Sequence, residues 1–420
     1  MKIKIAIVLL FINFITYSQT TPGIFGKDNW LLNWTNFKSK TTEYNDTNVT
    51  IFKNITENTT FFANKTYLLT GTIRVINNAV LTIEPGTVIK GDSETIGALI
   101  ITKGAKIIAK GIESNPIVFT SNKGINDRKA GDWGGLVLLG NAPINTFGST
   151  AFFGYDMNQT FNDYGGKNLD DSSGILEYVR VEFCGIKDES GYASNGIAFA
   201  GVGSKTILNH IMVSDSADDS FQIYGGNLNL YNIVSLRAGD DDFDFTEGTN
   251  CLLSNSLAIR NPNISDPLRS RCLEIESFSS LDNFDANANR TKITLENVSL
   301  VDNGINEYGL LKEAIFLDKE ASLNVNNCVA TGFESFIAFN EFYFQKENYK
   351  KINLKNLIID SCPSVISDTK FKFDFDLNIL LTQINEWFDV PANNIVKSKI
   401  GYSNLFIENS LKKQPDFRLK

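Results

Sequence analysis

The chain has 420 residues, 42% of them hydrophobic and 21% charged, with a formal net charge of -9. That length holds one large domain or two ordinary ones, and the acidic balance argues against a nucleic-acid partner, whose phosphates call for a basic surface. A single histidine, His210, excludes a mechanism built on a His pair or a metal site with several His ligands. In chain order, "MKIKIAIVLLFINFITYSQTTPG" comes first. Lys2 and Lys4 give a positive start, Ile5 to Ile12 is unbroken and apolar, and Thr16 and Ser18 suit a small-x-small cleavage site. Residues 1–18 therefore read as a signal peptide, too short for a membrane span. The expected protein is exported to the periplasm, cell surface or medium, with no lipid anchor, no transmembrane segment and a monomeric state.

Residues 19–65 read as an N-terminal cap in which Trp30, Trp34 and Phe37 plug the first coil of a strand array. Short β-branched runs then succeed one another between turn formers: "VLTIEPGTVIKG", "ALIITKGAKIIAKG", "NPIVFTSN" and "GLVLLGNAPIN". Helical periodicity is almost absent, and each run stops at Gly, Asn or Pro, as strands do. The repeat becomes explicit at "LNHIMVSDSADDSFQIYGG" from Leu208 and "LYNIVSLRAGDDDFDFTEG" from Leu230, superposable at a shift of 22. A further opening, "LSNSLAIR", comes 23 residues later, and leucine-x-asparagine openings recur at Leu295, Leu323 and Leu354.

Strand-and-turn repeats of this length, without helices, predict an all-β solenoid over 66–365, a right-handed parallel β-helix whose coils bury one continuous column. A β-sandwich is the competing architecture, but it does not require superposable copies. Asn at the same turn of successive coils fits a solenoid, because its amide can bond the copies above and below. Residues 366–420 read as a C-terminal cap and tail, with "LTQINEWFDVPANNI" the best helix candidate. Five scattered cysteines without a CxxC pattern read as buried thiols, with a Cys251–Cys272 bridge as the one alternative.

"LTIEPGTVIKGD", "NPIVFTSN", "GDWGGLVLLGNAPIN", "DDSSGILEYVRVEFCG", "DDSFQIYGG" and "DDDFD", in this order, resemble a group of exported Bacteroidetes proteins. These are described as right-handed parallel β-helix, pectin-lyase-like proteins of no agreed activity. The resemblance covers about 65 to 280 well. It implies fold and export, and leaves function to the site.

The alternation after each acidic turn places Phe221, Ile223, Phe243 and Phe245 inward. Ser220, Gln222 and Tyr224, then Asp240, Asp242 and Asp244, are expected to face outward. Asp219 and Asp241 read as turn caps that bind backbone N–H groups. Neighbouring coils lie ~4.8 Å apart, so Asp218 and Asp240 form a like-charge pair needing a cation, a shared proton or an arginine. Asp215 is positioned to pair with Arg237. Glu274 and Glu276 extend the acidic face. Three readings compete: a solvated acidic surface, a Ca²⁺ site formed by Asp218, Asp240, Asp242, Asp244, Glu274 and Glu276, or a glycosidic-bond-cleaving carboxylate set with Asp242, Asp244 and Glu276 as catalytic candidates. Trp133, between glycines in "GDWGG", and Tyr224 are the candidate sugar-stacking residues. His210 reads as a ladder residue. The expected protein binds a polysaccharide or cell-surface glycan and is calcium-stabilised. A polysaccharide lyase or glycoside hydrolase, and a structural or adhesive scaffold, are the alternatives.

Overall fold

The computed structural model describes residues 21–26, 28–154, 159–187, 193–264, 270–279, 283–304, 311–367, 375–388, 390 and 393–420; the signal-peptide segment lies outside them. The fold is a right-handed parallel β-helix with one ten-stranded sheet and one seventeen-stranded sheet. Coils pair in parallel at the register set by the 22-residue shift: Phe221 opposite Phe243, Gln222 opposite Asp244, Ile223 opposite Phe245 and Tyr224 opposite Thr246.

The larger sheet covers two faces because its strands turn a corner. Tyr178, His210, Asn232, Asn255, Asn297, Asn327 and Asn356 mark that corner in successive coils, all at positive φ. Asn tolerates the left-handed region better than most residues, and its amide serves the stack as well. Asn232 donates to Asn209 Oδ1 at 2.8 Å, and Asn255 donates to Asn232 Oδ1 at 2.7 Å. The ladder expected from sequence is present. His210 occupies it in place of Asn, stacked 4.3 Å from Tyr178, and burial lowers its pKa to about 4.

The column inside the coils is the one the alternation predicts. Phe221, Ile223, Phe243 and Phe245 are fully buried, with the Phe221 and Phe243 rings stacked at 5.2 Å. Each ring contributes about 1.5–3 kcal/mol by leaving water. Helix Phe375–Phe388 forms at the C-terminal helix candidate and buries Ile384 and Phe388, the latter 6.0 Å from Phe339.

The N-terminal aromatics do not plug the first coil. Residues 49–61 already form rungs, pairing with Thr66–Leu69 and Val80–Ile83. Ile24, Leu31, Trp34 and Phe37 instead form a strap over the outside of middle coils, against Met212, Val234, Leu257 and Val301. These outward apolar residues need cover, and the strap supplies it. A C-terminal hairpin, Phe406–Glu408 with Asp416–Leu419, completes the same cluster. The two ends touch: Asn29 donates to the Pro415 carbonyl at 2.7 Å, and Arg418 to the Gly26 carbonyl at 3.0 Å. All five cysteines are free, so Cys251 and Cys272 form no bridge.

Candidate functional site

Strands Phe221–Tyr224 and Phe243–Thr246 are the centre of the site, because both of their ends and their outer face carry polar chemistry. At the entry corner, the short turns 215–220 and 237–242 lie between longer connections in the coils before and after. The turns are held by their own acids. Asp219 Oδ1 accepts the Asp241 N–H at 2.9 Å, and Asp241 Oδ1 accepts the Arg271 N–H at 2.5 Å. These are the turn caps that sequence predicts. Arg237 grips Asp215 through Nε at 2.8 Å and Nη2 at 2.7 Å, also as expected.

The six proposed calcium ligands do not converge. Asp218 and Asp240 do approach each other, and their third partner is Asp219, with one carboxylate oxygen from each within 4.8 Å of the others. The carboxamide end of Asn195 lies 3.0 Å from Asp218 Oδ2 and 3.2 Å from Asp219 Oδ2. Asp244 and Glu274 are register partners on the strand face. Glu274 accepts from Arg271 at 2.9 Å, and Arg271 also binds Glu313 at 2.7 Å. Glu276 is half-buried just beyond the end of Leu273–Ile275.

Asp242 overturns its expected orientation. It and Arg260 are both 0% exposed inside the coil, paired at 3.2 Å. Asp242 precedes the strand, so the bend of the corner breaks the strict alternation that holds from Phe243 onward. Its other oxygen accepts from Ser235, whose hydroxyl is also hydrogen-bonded to that of Ser220. Ser220, expected outside, is buried with it. Arg260 further donates to the carbonyls of Arg271 at 2.7 Å and Asp240 at 2.6 Å, tying the turn 237–242 to the next coil from within. Asp242 is therefore committed to Arg260 inside the coil and does not stand on the outer face with Asp244.

On the strand face, Asp244 accepts from Gln222, while its Oδ1 is buried without a partner among the described residues. Burial raises the carboxyl pKa values of Asp219, Asp241 and Asp244 well above the ordinary carboxylate range, and neighbouring acids add to each. Glu276 contributes to that field at Asp244.

Both proposed sugar platforms are covered. Trp133 is 0% exposed, donates to the Glu182 carbonyl at 2.8 Å and stacks on Phe119. Gly91 makes room for it, since a Cβ there would lie 2.4 Å from the Trp133 Cβ. Tyr224 is half-buried beneath the 140–173 insertion, with Phe153 at 5.6 Å and Tyr164 at 6.2 Å.

The opposite ends of the same strands border a groove of about 820 Å³ between that insertion and residues 285–292. Its lining includes Asn145, Lys167, Asn227, Asn250, Arg290 and Lys292. Phe147 is 65% exposed between the lining residues Thr146 and Gly148. Glu247 holds the structure around the groove. It accepts from Tyr164 of the insertion at 2.9 Å and from Ser279 at 2.6 Å, and burial raises its pKa. Glu247 has φ 55 at the position Gly225 occupies one coil earlier. Sequence reasoning missed this groove. Its traces are the two long segments, 140–173 and 276–291, that flank the short turns after Tyr224 and Thr246.

Residues 53–390 match the model of a family described as a pectate-lyase like beta helix domain. No curated protein and no solved structure matches the chain.

Proposed function

The chain belongs to the pectate-lyase-like β-helix family, and from that premise we propose that it is an exported, non-catalytic protein that binds a polysaccharide or cell-surface glycan. The groove carries this reading. It is open and hydroxyl-compatible, rich in asparagine amides, and the exposed Phe147 stands between two of its lining residues, Thr146 and Gly148. Sugars are held by such a combination of amide hydrogen bonds and ring faces. A glycan array probed with the full mature chain tests it. Binding that falls with Phe147→Ala is the expected result, and a blank array favours the structural or adhesive scaffold instead.

The same proposal includes calcium at the entry corner. Asp218, Asp219 and Asp240 form a hard oxygen donor set of the kind Ca²⁺ prefers, with the Asn195 amide donating to two of them from outside. A cation there would relieve repulsion between carboxylates of adjacent coils. Melting measured in calcium and in chelator should differ, and identical curves would remove calcium from the proposal.

One observation favours a second, enzymatic reading: the raised pKa of Asp244 beside Glu274 and Glu276. A protonated acid next to an ionised one is what glycosidic cleavage requires. A reducing-sugar and unsaturated-product screen that detects turnover abolished by Asp244→Asn would replace the binding reading with this one.

A further inference from the structure

We infer that the aromatic strap is an acid-released cover: protonation of His210 lifts the segment 29–37 off the outer sheet face. Three observations carry it.

The first is placement. His210 is the chain's one histidine. It stands at the corner position that Tyr178 fills in the preceding coil and Asn232 in the following one, all three at positive φ. The strap closes over it. The His210 ring lies 4.3 Å from that of Tyr178, 5.4 Å from that of Trp34 and 6.0 Å from that of Trp30. Trp30 and Trp34 are stacked on each other at 6.0 Å.

The second is how the contact is made. His210 Nδ1 and Trp30 Nε1 are both buried without a hydrogen-bond partner. The Trp34 indole N–H turns back to the Trp30 carbonyl at 2.7 Å. A neutral imidazole tolerates such surroundings. An imidazolium brings a full charge and a second N–H into them, with no acceptor waiting at Nδ1. Ring faces return part of that cost, but burial outweighs them and lowers the His210 pKa to about 4. The titratable and charged groups around the ring, among the described residues, are Tyr178, Glu113 and Glu177. Burial raises the Tyr178 pKa, so it stays neutral. Glu113 favours the charged ring without reversing the shift, and it accepts from Asn33 of the strap at 2.7 Å. Glu177 faces Lys110 at 3.7 Å.

The third is what lies beneath. Ile24, Leu31, Trp34 and Phe37 cover Met212, Val234, Leu257 and Val301, an apolar patch on an outer face. Lifting the strap presents a surface that the closed state hides. The contribution of His210 to closure is complete above its ordinary value of 6.5 and is lost as pH falls from there toward about 4. Between those values, opening becomes roughly twentyfold more favourable at about pH 5 than at about pH 7. Asp219 and Asp241, whose raised pKa values have the opposite sign, stabilise the coils as they gain protons. The strap therefore opens while the body beneath it tightens.

The test is hydrogen exchange of the full mature chain at about pH 7 and about pH 5, read by mass spectrometry and corrected for exchange of the unstructured peptide. Amides of the segment 29–37 should lose roughly tenfold to thirtyfold in protection at the lower pH, while strands Ile207–Ser214 and Asn227–Leu236 keep theirs. Tyr and Asn fill this corner in the adjoining coils, so His210→Tyr and His210→Asn both suit the backbone, and neither titrates in this range. Both variants should hold the strap equally at the two pH values. The strap's bonds to Glu182, through Asn36, and to Asp215, through Ser39, are common to all three chains. Unchanged protection of the native strap at the lower pH overturns the inference. Equal loss in the variants also overturns it, by assigning the acid response to those carboxylates, and so does loss that extends to the two strands.

Discussion

The two ends of strands Phe221–Tyr224 and Phe243–Thr246 solve the same problem of closing a coil in opposite ways. At the entry end, acids tie one turn to the next: Asp219 and Asp241 accept backbone N–H groups, and the buried Arg260 holds the turn 237–242 and Arg271 of the following coil from inside. At the exit end the turns are minimal. Gly225 allows the insertion to pass close by, since a Cβ there would lie 2.4 Å from Ile144. Long flanking segments then supply the polar groups that the turns lack. One end spends its side chains on holding itself together, and the other leaves Lys167 and Lys292 exposed beside a groove. Functional capacity here depends on which polar groups remain uncommitted, more than on how many there are.

The sharpest way to break this contrast is through the interior of the entry corner. Arg260→Met leaves the Asp242 carboxylate buried without its partner, and should cost about 3–5 kcal/mol in urea unfolding. Adding Asp242→Asn should recover part of the loss in a double-mutant cycle. Groove binding, corrected for the folded fraction, should be unchanged.

A smaller effect comes from pH. Asp219, Asp241 and Asp244 have raised carboxyl pKa values in the folded state, so the folded chain binds protons more tightly than the unfolded one. Their stabilising contribution is complete below the ordinary carboxylate pKa and is lost as pH rises through the raised values. Melting in chelator should therefore fall as pH rises above the ordinary carboxylate range. Calcium held at the deprotonated corner, as proposed, should flatten that slope, by about 2.7 kcal/mol when present at a hundredfold its Kd. A slope indifferent to calcium separates the strand-face acid Asp244 from the metal corner.

The smallest effect belongs to the groove lip. Phe147→Ala removes an exposed ring and should leave melting unchanged. It should weaken glycan binding by about 1 kcal/mol, roughly fivefold in Kd by calorimetry.

Much of the coil was legible because identity of side chains at a fixed shift reports stacking directly. Phe221 and Phe243, Asp215 and Arg237, and the Asn232–Asn255 ladder are placed by counting alone. The same counting fails at corners. Alternation is a property of extended backbone, so it misplaced Asp242 and Ser220, which stand just outside their strands. It also could not show that Trp133 is covered, because that depends on Gly91 in a neighbouring coil. The groove was hidden for a different reason. Lys167 and Phe147 lie in an insertion without periodicity, and they meet Lys292 only through folding. Asn195 was missed as a partner of Asp218 because a corner site draws on the turn of the preceding coil, and Asp219 because its role as a turn cap hides its second contact.

A stack of coils in which each touches only its neighbours should melt by fraying from whichever end is weaker. This chain has threaded both of its ends back over the middle. Ile24 bonds Ser299, 275 residues away, and Asn29 bonds Pro415, 386 residues away. Contacts of that separation form slowly and late. The aromatic strap, synthesised before the coils beneath it, can dock only after they exist, and the hairpin that meets it is made after them. Once closed, this belt ties coils far apart in sequence into one unfolding unit. The expected result is a single sharp transition where a plain ladder would unravel gradually, with the rate of loss set by the release of Trp34 and Phe417 from the outer face.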